Sequence, residues 1–288
     1  MKYIFSTLLL AFYSLSFSPK TLAQSAAKVF KIEEDSLIQV ADSMNRVATL
    51  NERIDYCHAF IKKLGHVLKQ PNSFGYPFDE LGKKVHIIYP EDKSFRIFNW
   101  PVEYEPARFR YYGAIQMANG KIFPLVDNSE ELGDKGLMGQ LSSKNWFGQE
   151  YYKIISLKDE AGAPLYFLFG MNLSRETTAL KMMDALHISD EGVTFGGNYF
   201  GIGTPRFILE YSKGAQASLN YDAEQGMVIY NVLESEVNQP LRKSTLVPNG
   251  DLNGMKWTGG QWQLIKNLIP IQKLKDGQAP INGVVPTN

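Results

Sequence analysis

The stretch NGDLNG, near the end of the chain, has the spacing of a metal-binding loop. Asn249, Asp251 and Asn253 place an oxygen-bearing side chain at every second position and a glycine follows, as at the start of an EF-hand calcium loop. The twelfth position normally holds a bidentate glutamate, but here it is Gly260. Asn-Gly pairs are also typical of tight turns, because both residues tolerate left-handed backbone conformations. The sequence therefore predicts a pair of turns and no cofactor. Asn249, Asp251 and Asn253 would be the ligands in the alternative, a calcium site.

Two predicted strands each carry arginines and aromatic rings on one face. Side chains alternate between the faces of a strand, so these residues project together if the strands pair with those faces aligned. Guanidinium groups bind carboxylates, and rings stack on sugars or cations. A tryptophan in a nearby turn is expected to border the same groove. The pattern alone favours a simpler alternative, a solvated strand face. The candidate binding residues are Arg96, Trp100, Arg108, Arg110, Tyr112 and Trp146.

Motifs of common catalytic sites are missing from the sequence. It contains neither G-x-S-x-G, which forms a nucleophile elbow, nor H-E-x-x-H, which binds zinc. The single cysteine, Cys57, excludes an internal disulfide and a thiolate zinc site, and its helical spacing predicts burial. Paired carboxylates for hydrolysis remain an alternative. The acids near predicted strand ends are Glu103, Glu105, Asp127, Glu150, Glu210 and Asp222. The histidines, which are predicted to be structural, are His58, His66, His86 and His187.

The elements that position these residues begin with a helical segment, residues 24–75. Apolar residues recur there at helical spacing. They include Val40, Val47, Ile54, Ile61 and Leu68. Thr49 and Glu52 fit a capping box, which favours a second helix start. The segment is therefore either one long helix or, as we favour, a helical hairpin that packs on the protein's own sheet.

Beyond the helical segment the apolar period becomes alternating. Ten or more strands are predicted between residues 76 and 270, most of them joined by short connections. Asn119-Gly120 predicts a tight hairpin between strands 108–117 and 122–126. The predicted fold class is α+β, with an N-terminal helical segment followed by a large antiparallel β-meander. So many strands must form a rolled sheet, a barrel or a sandwich.

One predicted strand, LYFLFGM (Leu165–Met171), is apolar on both faces. Such a strand lies at the centre of a sheet that is covered on both sides. We expect the helical segment to be one of the two covers.

The first 23 residues have the parts of a signal peptide. Lys2 is followed by an apolar run, Ile4–Phe17, which is shorter than the roughly 20 residues of a membrane-spanning helix. Small residues then precede the predicted cleavage after Ala23. The formal net charge of zero gives no basic excess for a nucleic-acid partner. We expect a periplasmic or secreted protein without a transmembrane segment in the mature chain. Residues 271–288 are predicted to be a C-terminal tail.

Several motifs stand out in the β-rich part of the chain. They are KSFRIFNW (Lys93–Trp100), RYYGAIQM (Arg110–Met117), NWFGQEYYKI (Asn145–Ile154) and PNGDLNGMKWTGGQW (Pro248–Trp262). With them the chain resembles a family of exported, functionally uncharacterised proteins from Bacteroidota. The resemblance spans residues 76–262, implies export and a single β-rich unit, and transfers no functional residues. Members of that family have Pro-Asp-Gly where this chain has Pro248-Asn249-Gly250, a departure that weakens the calcium interpretation.

The sequence leaves three classes of function open. The first is a non-enzymatic protein that binds a small molecule, a glycan or an envelope protein with its arginine-bearing face. The second is a hydrolase of envelope polysaccharide or peptide that uses paired carboxylates. The third is a structural component of the envelope. The missing catalytic motifs favour the first class.

Overall fold

The computed structural model describes residues 19–47, 49–201 and 203–268. Its fold class is α+β, with strands that pair only antiparallel within these residues. The α-helices of this part are α1 (Pro19–Arg46), α2 (Leu50–Leu68) and α3 (Ser129–Leu137). Most of the predicted signal peptide, residues 1–18, and the whole predicted tail, residues 271–288, lie outside the described residues.

The N-terminal segment contains two helices rather than one long helix. Thr49 is the N-cap of α2, and its hydroxyl oxygen accepts a hydrogen bond from the Glu52 backbone N–H. Such a bond satisfies one of the free N–H groups at a helix start, which explains why the second helix begins here. Both helices bury an apolar face, from which Leu37 and Phe60 enter the core.

The first sheet contains β1 (His86–Ile88), β2 (Phe95–Glu105), β3 (Arg108–Met117) and β4 (Ile122–Val126), in that order. The predicted bounds of β3 and β4 are confirmed. Helices α1 and α2 pack on one face of this sheet, where Phe98 and Val102 join the helical core. The other face packs on the second sheet through residues such as Ile97 and Ile115.

The second sheet has the order β5-β9-β8-β7-β6, and β10 pairs with the first part of β8. Its strands are β5 (Leu141–Ser142), β6 (Glu150–Lys158), β7 (Pro164–Asn172), β8 (Thr178–Ile188), β9 (Val193–Phe195) and β10 (Arg206–Ser212). As predicted, β7 is buried on both faces. Its covers differ from the expectation, because Leu168 faces the first sheet and Phe167 faces a third sheet, so neither cover is the helical segment.

The third sheet contains β11 (Leu219–Asp222), β12 (Met227–Ser235), β13 (Leu246–Trp257) and β14 (Trp262–Leu268), in that order. The chain thus stacks α1 and α2 and three sheets, with a buried apolar cluster at each of the three contacts between layers. Of the expected arrangements, a rolled sheet, a barrel or a sandwich, the structure shows sheets packed face to face as in a sandwich, with a third sheet and the helices as further layers. Each sheet has only four to six strands, and a sheet of that size can bury both faces without curling.

Candidate ligand-binding site

The predicted arginine-bearing face forms, but most of it is covered. Strands β2 and β3 pair with Arg96 opposite Gln116 and Trp100 opposite Tyr112, so the named side chains do share a face. Helices α1 and α2 pack on that face. The expectation of a wide exposed surface is therefore wrong, because alternation predicts which residues share a face and not whether another element covers it.

Arg96 is fully buried instead of exposed. Its Nε donates to Gln116 Oε1 at 2.8 Å, and its Nη2 donates to the Ser73 carbonyl at 2.8 Å. Its Nη1 donates to the Tyr76 carbonyl at 2.6 Å and to the Tyr89 hydroxyl at 3.0 Å. Burial lowers the pKa of the guanidinium. Arg96 therefore holds the chain that follows α2 against the first sheet and is removed from the candidate binding set.

The two tryptophans of the candidate set are also buried. The Trp100 ring packs edge-on against Phe60 of α2, with ring centroids 4.9 Å apart, and stacks on Tyr112. Trp146 lies between the first two sheets, where its Nε1 donates to the Tyr151 hydroxyl at 2.8 Å. The Trp146 ring cannot stack on a ligand at the surface, and Trp100, although it lines the groove described below, is only 3% exposed, so both predictions are corrected. Tyr112 remains half-buried at the edge of a groove described below.

Arg108 and Arg110 remain exposed and line a charged cleft of about 430 Å³. The cleft brings together three separated parts of the chain. The hairpin of β2 and β3 provides Tyr104, at the end of β2, and the two arginines, on β3, and α3 provides Glu130. The loop between β7 and β8 provides Arg175. Of the cavities among the described residues, this cleft is the one lined by both exposed candidate arginines, Arg108 and Arg110.

The cleft's wall at the start of α3 is fixed by Asp127. Its Oδ2 accepts from the Tyr111 N–H at 2.8 Å, and its Oδ1 accepts from the Ser129 N–H at 2.9 Å and the Gly148 N–H at 3.0 Å. The approach to Gly148 is so close that an added Cβ would lie 2.2 Å from the Asp127 Cγ. Both oxygens of this carboxylate are therefore committed to backbone N–H groups.

The other end of α3 is held by a buried ion pair. Arg206 Nη1 donates to the carbonyls of Gly136 and Leu137, at 2.9 and 2.6 Å, and Nη2 donates to the Gly139 carbonyl at 3.0 Å. Its Nε lies 3.0 Å from Asp184 Oδ2 on β8. Carbonyls at a helix end have no partner within the helix, and here an arginine supplies their donors. Burial raises the pKa of Asp184 to about 6, although Arg206 opposes that shift.

The loop that carries Arg175 is tied to β3. The Leu173 N–H donates to the Tyr111 hydroxyl at 2.7 Å, and the Phe109 N–H donates to Ser174 Oγ at 3.1 Å. Arg175 itself pairs with Glu210 of β10 at 2.9 Å and also contacts Asp134 of α3. These bonds place Arg175 in the same cleft as the two arginines of β3.

The arginines of the cleft differ in how closely they are paired. Arg108 Nη2 lies 3.1 Å from Glu130, whereas Arg110 Nη2 lies 3.9 Å from the same carboxylate. Both guanidinium carbons lie near the Tyr104 ring, 5.8 and 5.7 Å from its centroid. Arg110 is thus the least tightly held of the three. A planar guanidinium that is exposed and only loosely paired can bind a carboxylate through two N–H groups.

An apolar groove of about 980 Å³ adjoins the cleft, between α2 and strands β3 and β4. Arg110, Asp127 and Glu130 border both cavities. The helical spacing predicted burial of Ile61 in the core, but this side chain lines the groove and is 38% exposed. Leu64 and Leu68 are buried and form the groove's inner edge, as the helical spacing predicts for Leu68.

The acids considered for hydrolysis are held by other side chains and by the backbone. Glu103 pairs with Arg53 at 2.6 Å, Glu150 with His86 at 3.0 Å and Glu210 with Arg175. Asp127 is bound by three backbone N–H groups, as described above. These contacts give the four carboxylates structural roles.

The NGDLNG segment lies inside β13 and is not the predicted pair of turns. Asn231 of β12 lies opposite Leu252 and Leu233 lies opposite Pro248, so residues 249–251 bulge out of the ladder. The left-handed φ of Gly250, +99°, is used in this bulge. The Asp251 N–H donates to Asn249 Oδ1 and the Asn267 N–H donates to Asn253 Oδ1, both at 3.0 Å. Within the described residues, no group of three or more His, Cys, Asp or Glu side chains is arranged to hold a metal.

Sequence reasoning missed α3, Tyr104 and Arg175. The start of α3 carries a usable signal, since Asn128 and Ser129 precede Glu130 and Glu131, and acids are favoured in a first helical turn. Gly133, with a φ of +51°, interrupts the helix and hides it from a periodicity search. Arg175 has no local signal, because its position depends on pairing between distant strands.

Comparison of the chain with protein-family models, with curated proteins and with solved structures finds no match in any of the three. Among the residues that the structure describes, no helix combines the length and apolarity that a membrane crossing requires.

Proposed function

We propose that this chain is an exported, non-enzymatic protein that binds a small molecule through a carboxylate in the charged cleft. One observation carries the proposal. Arg108, Arg110 and Arg175, from two parts of the chain, line one cavity, and Arg110 has its acid partner only at 3.9 Å. A ligand carboxylate would take the place of the distant Glu130 contact, with the Tyr104 ring beside it.

The size of the cleft supports a small ligand. Its volume of about 430 Å³ lies within the range of roughly 300–1,000 Å³ that is usual for small-molecule sites. Half-exposed arginines keep part of their hydration, so each contributes modestly to the binding free energy, and the affinity falls as salt is added. Binding is preferred to hydrolysis because three of the four acids that line the cleft are engaged: Glu130 and Asp134 pair with arginines, and Asp127 accepts from backbone N–H groups.

Export is part of the same proposal. The signal-peptide pattern of residues 1–23 and the resemblance to exported proteins support a periplasmic or secreted location. Cleavage after Ala23 would leave the two-helix segment ahead of the β-rich part, as the sequence predicts. Mass measurement of the protein recovered from an exporting host tests this step. A recovered chain that still begins at Met1 would contradict it.

Binding is tested with small carboxylates and their uncharged amides as matched probes. The panel is benzoate, glutarate, hexanoate and galacturonate, each compared with its amide at constant ionic strength. Proton–nitrogen spectra of the arginine Nε–H groups report contact directly. We expect at least one acid to shift the Arg110 signal, and its amide to leave that signal in place.

Two arginine variants control the experiment. Arg110→Ala should abolish binding of the acids, whereas Arg242→Ala, which removes an exposed guanidinium from the connection between β12 and β13, should not. If the wild type and Arg110→Ala bind every acid equally well, or if no acid binds the wild type, the proposed function is wrong.

A further inference from the structure

We infer that the ligand is an aliphatic carboxylic acid, with its carboxylate at Arg110 and its hydrocarbon chain in the groove between α2 and β4. The inference rests on the proposed function, because it assigns the tail of the same ligand. Its basis is that Arg110 borders both the charged cleft and the apolar groove. One extended molecule can therefore contact both cavities.

The walls of the groove are suited to a hydrocarbon chain. Ile61 and Leu64 of α2 form one wall, and Ile122 and Pro124 of β4 lie on the sheet side. Large apolar side chains stay exposed along it, with Ile61 38% and Val126 45% exposed. Burying such surface is favourable, so a ligand that covers these residues gains affinity from each methylene it buries.

Gly65 is the second observation that points to a ligand. It lies within α2 and lines the groove, yet an added Cβ would meet nothing within 4 Å. Glycine weakens a helix interior, so a glycine there usually serves a purpose. Close packing against another part of the chain is not that purpose here, because the space beside Gly65 is open. The missing side chain leaves the groove open beside the α2 backbone. This is the position at which a bound chain would lie against the α2 backbone.

The charged residues around the groove favour a ligand whose carboxylate lies at Arg110. Of the acids at this end of the groove, Asp127 has both oxygens bound by backbone N–H groups, and Glu130 is held by Arg108. Glu131 also borders the groove but is exposed on α3, where solvent screens it. Lys69 and Arg110 both line the groove, and Arg110 is the one that also borders the cleft, so we place the carboxylate at its guanidinium.

The test is a homologous series of hexanoate, octanoate, decanoate and dodecanoate, titrated calorimetrically below their micelle concentrations. We expect the affinity of the wild type to rise by up to about fourfold per added methylene, the factor expected for full burial, until the groove is filled. Dodecanol, which lacks the charge, should bind more weakly than dodecanoate.

Gly65→Leu is the matched variant for the chain, because its side chain would fill the groove. Dodecanoate should then bind it no better than hexanoate does, while the Arg110 Nε–H signal still shifts with acid. Ala59→Leu adds the same side chain at an exposed position of α2 outside the groove and should retain the full series. Ile61→Gln, which makes the wall polar at a half-exposed site, gives a second reading if Gly65→Leu does not fold.

The outcomes separate the two proposals. Arg110-dependent binding without any effect of chain length would overturn the groove assignment and leave the proposed function standing. Chain-length dependence with equal binding of dodecanol and no effect of Arg110→Ala would overturn both the acid assignment and the proposed function. A wild-type dimer that Gly65→Leu converts to a monomer would show that the groove receives a second copy of the chain, and would also overturn the inference.

Discussion

Asp184 and Arg206 form an ion pair 3.0 Å long that is buried between the second sheet and α3. Because three carbonyls at the end of α3 share the same guanidinium, the pair fixes the helix that carries Glu130 and Asp134 into the cleft. The geometry of the proposed site thus depends on a residue that does not line it.

Replacing Arg206 by Met should destabilise the fold and weaken ligand binding together. The variant leaves Asp184 as an uncompensated buried charge, which costs about 3–5 kcal/mol. Urea unfolding measures the loss. The double variant Arg206→Met with Asp184→Leu should be more stable than the single variant, since the buried charge is gone. A double variant that is less stable than Arg206→Met would contradict this account.

Arg96→Met should be strongly destabilising, although Arg96 lines neither the cleft nor the groove. The variant leaves Gln116 Oε1 and the Ser73 and Tyr76 carbonyls without their donor, and each buried acceptor left unpaired costs about 1–3 kcal/mol. We expect a loss of at least about 3 kcal/mol in denaturant unfolding. Arg46→Met, at a largely exposed site on α1, is the matched control and should stay within about 0.5 kcal/mol of wild type.

The sequence predicts the residues that share a face better than it predicts their exposure. Alternation predicts that Arg96 and Trp100 share a face of β2, and the Asn119-Gly120 turn predicts that β3 pairs with β4; both are local signals. Burial of Arg96 depends on acceptors at residues 73 and 76, which no local pattern reveals. Gly65 shows the same limit, because only the packed structure distinguishes a glycine with open space around it from one that is required for close contact.

The cleft likewise combines residues that the sequence identifies with a residue that only the structure reveals. Arg108 and Arg110 were identified from their strand, but Arg175 reaches the cleft only through the turn between β7 and β8 and its bonds to β3. The sequence predicts that Trp146 borders the groove from a turn. Its ring instead enters the core, where the Tyr151 hydroxyl satisfies its N–H.

Gly148→Ala should destabilise the protein and disturb the start of α3. The new Cβ would lie 2.2 Å from the Asp127 Cγ, so the carboxylate that binds three backbone N–H groups must move. Overpacking of this kind costs about 1–3 kcal/mol, which thermal unfolding can measure. Gly75→Ala adds the same methyl group at an exposed site with nothing within 4 Å and serves as the control. Equal melting temperatures for the two variants would refute the tight contact.

The contact between His86 and Glu150 should make stability depend on pH near neutrality. His86 Nε2 lies 3.0 Å from Glu150 Oε1, and this hydrogen bond raises the pKa of His86 above its ordinary 6.5. Because the folded state binds the proton more tightly, the stabilisation is fully present below pH 6.5 and is lost as the pH rises through the raised value. The pair is half-exposed, so its contribution is about 1 kcal/mol or less.

The measurement compares wild type with His86→Gln by denaturant unfolding from about pH 5 to about pH 8. The difference in unfolding free energy should be largest at the acid end and shrink toward the alkaline end. Glu150→Gln removes the anion but keeps a hydrogen-bonding side chain, so it should flatten the same dependence. A difference between wild type and His86→Gln that stays constant with pH would mean that the ring contributes through packing and its bond to the Tyr151 carbonyl, and not through its charge.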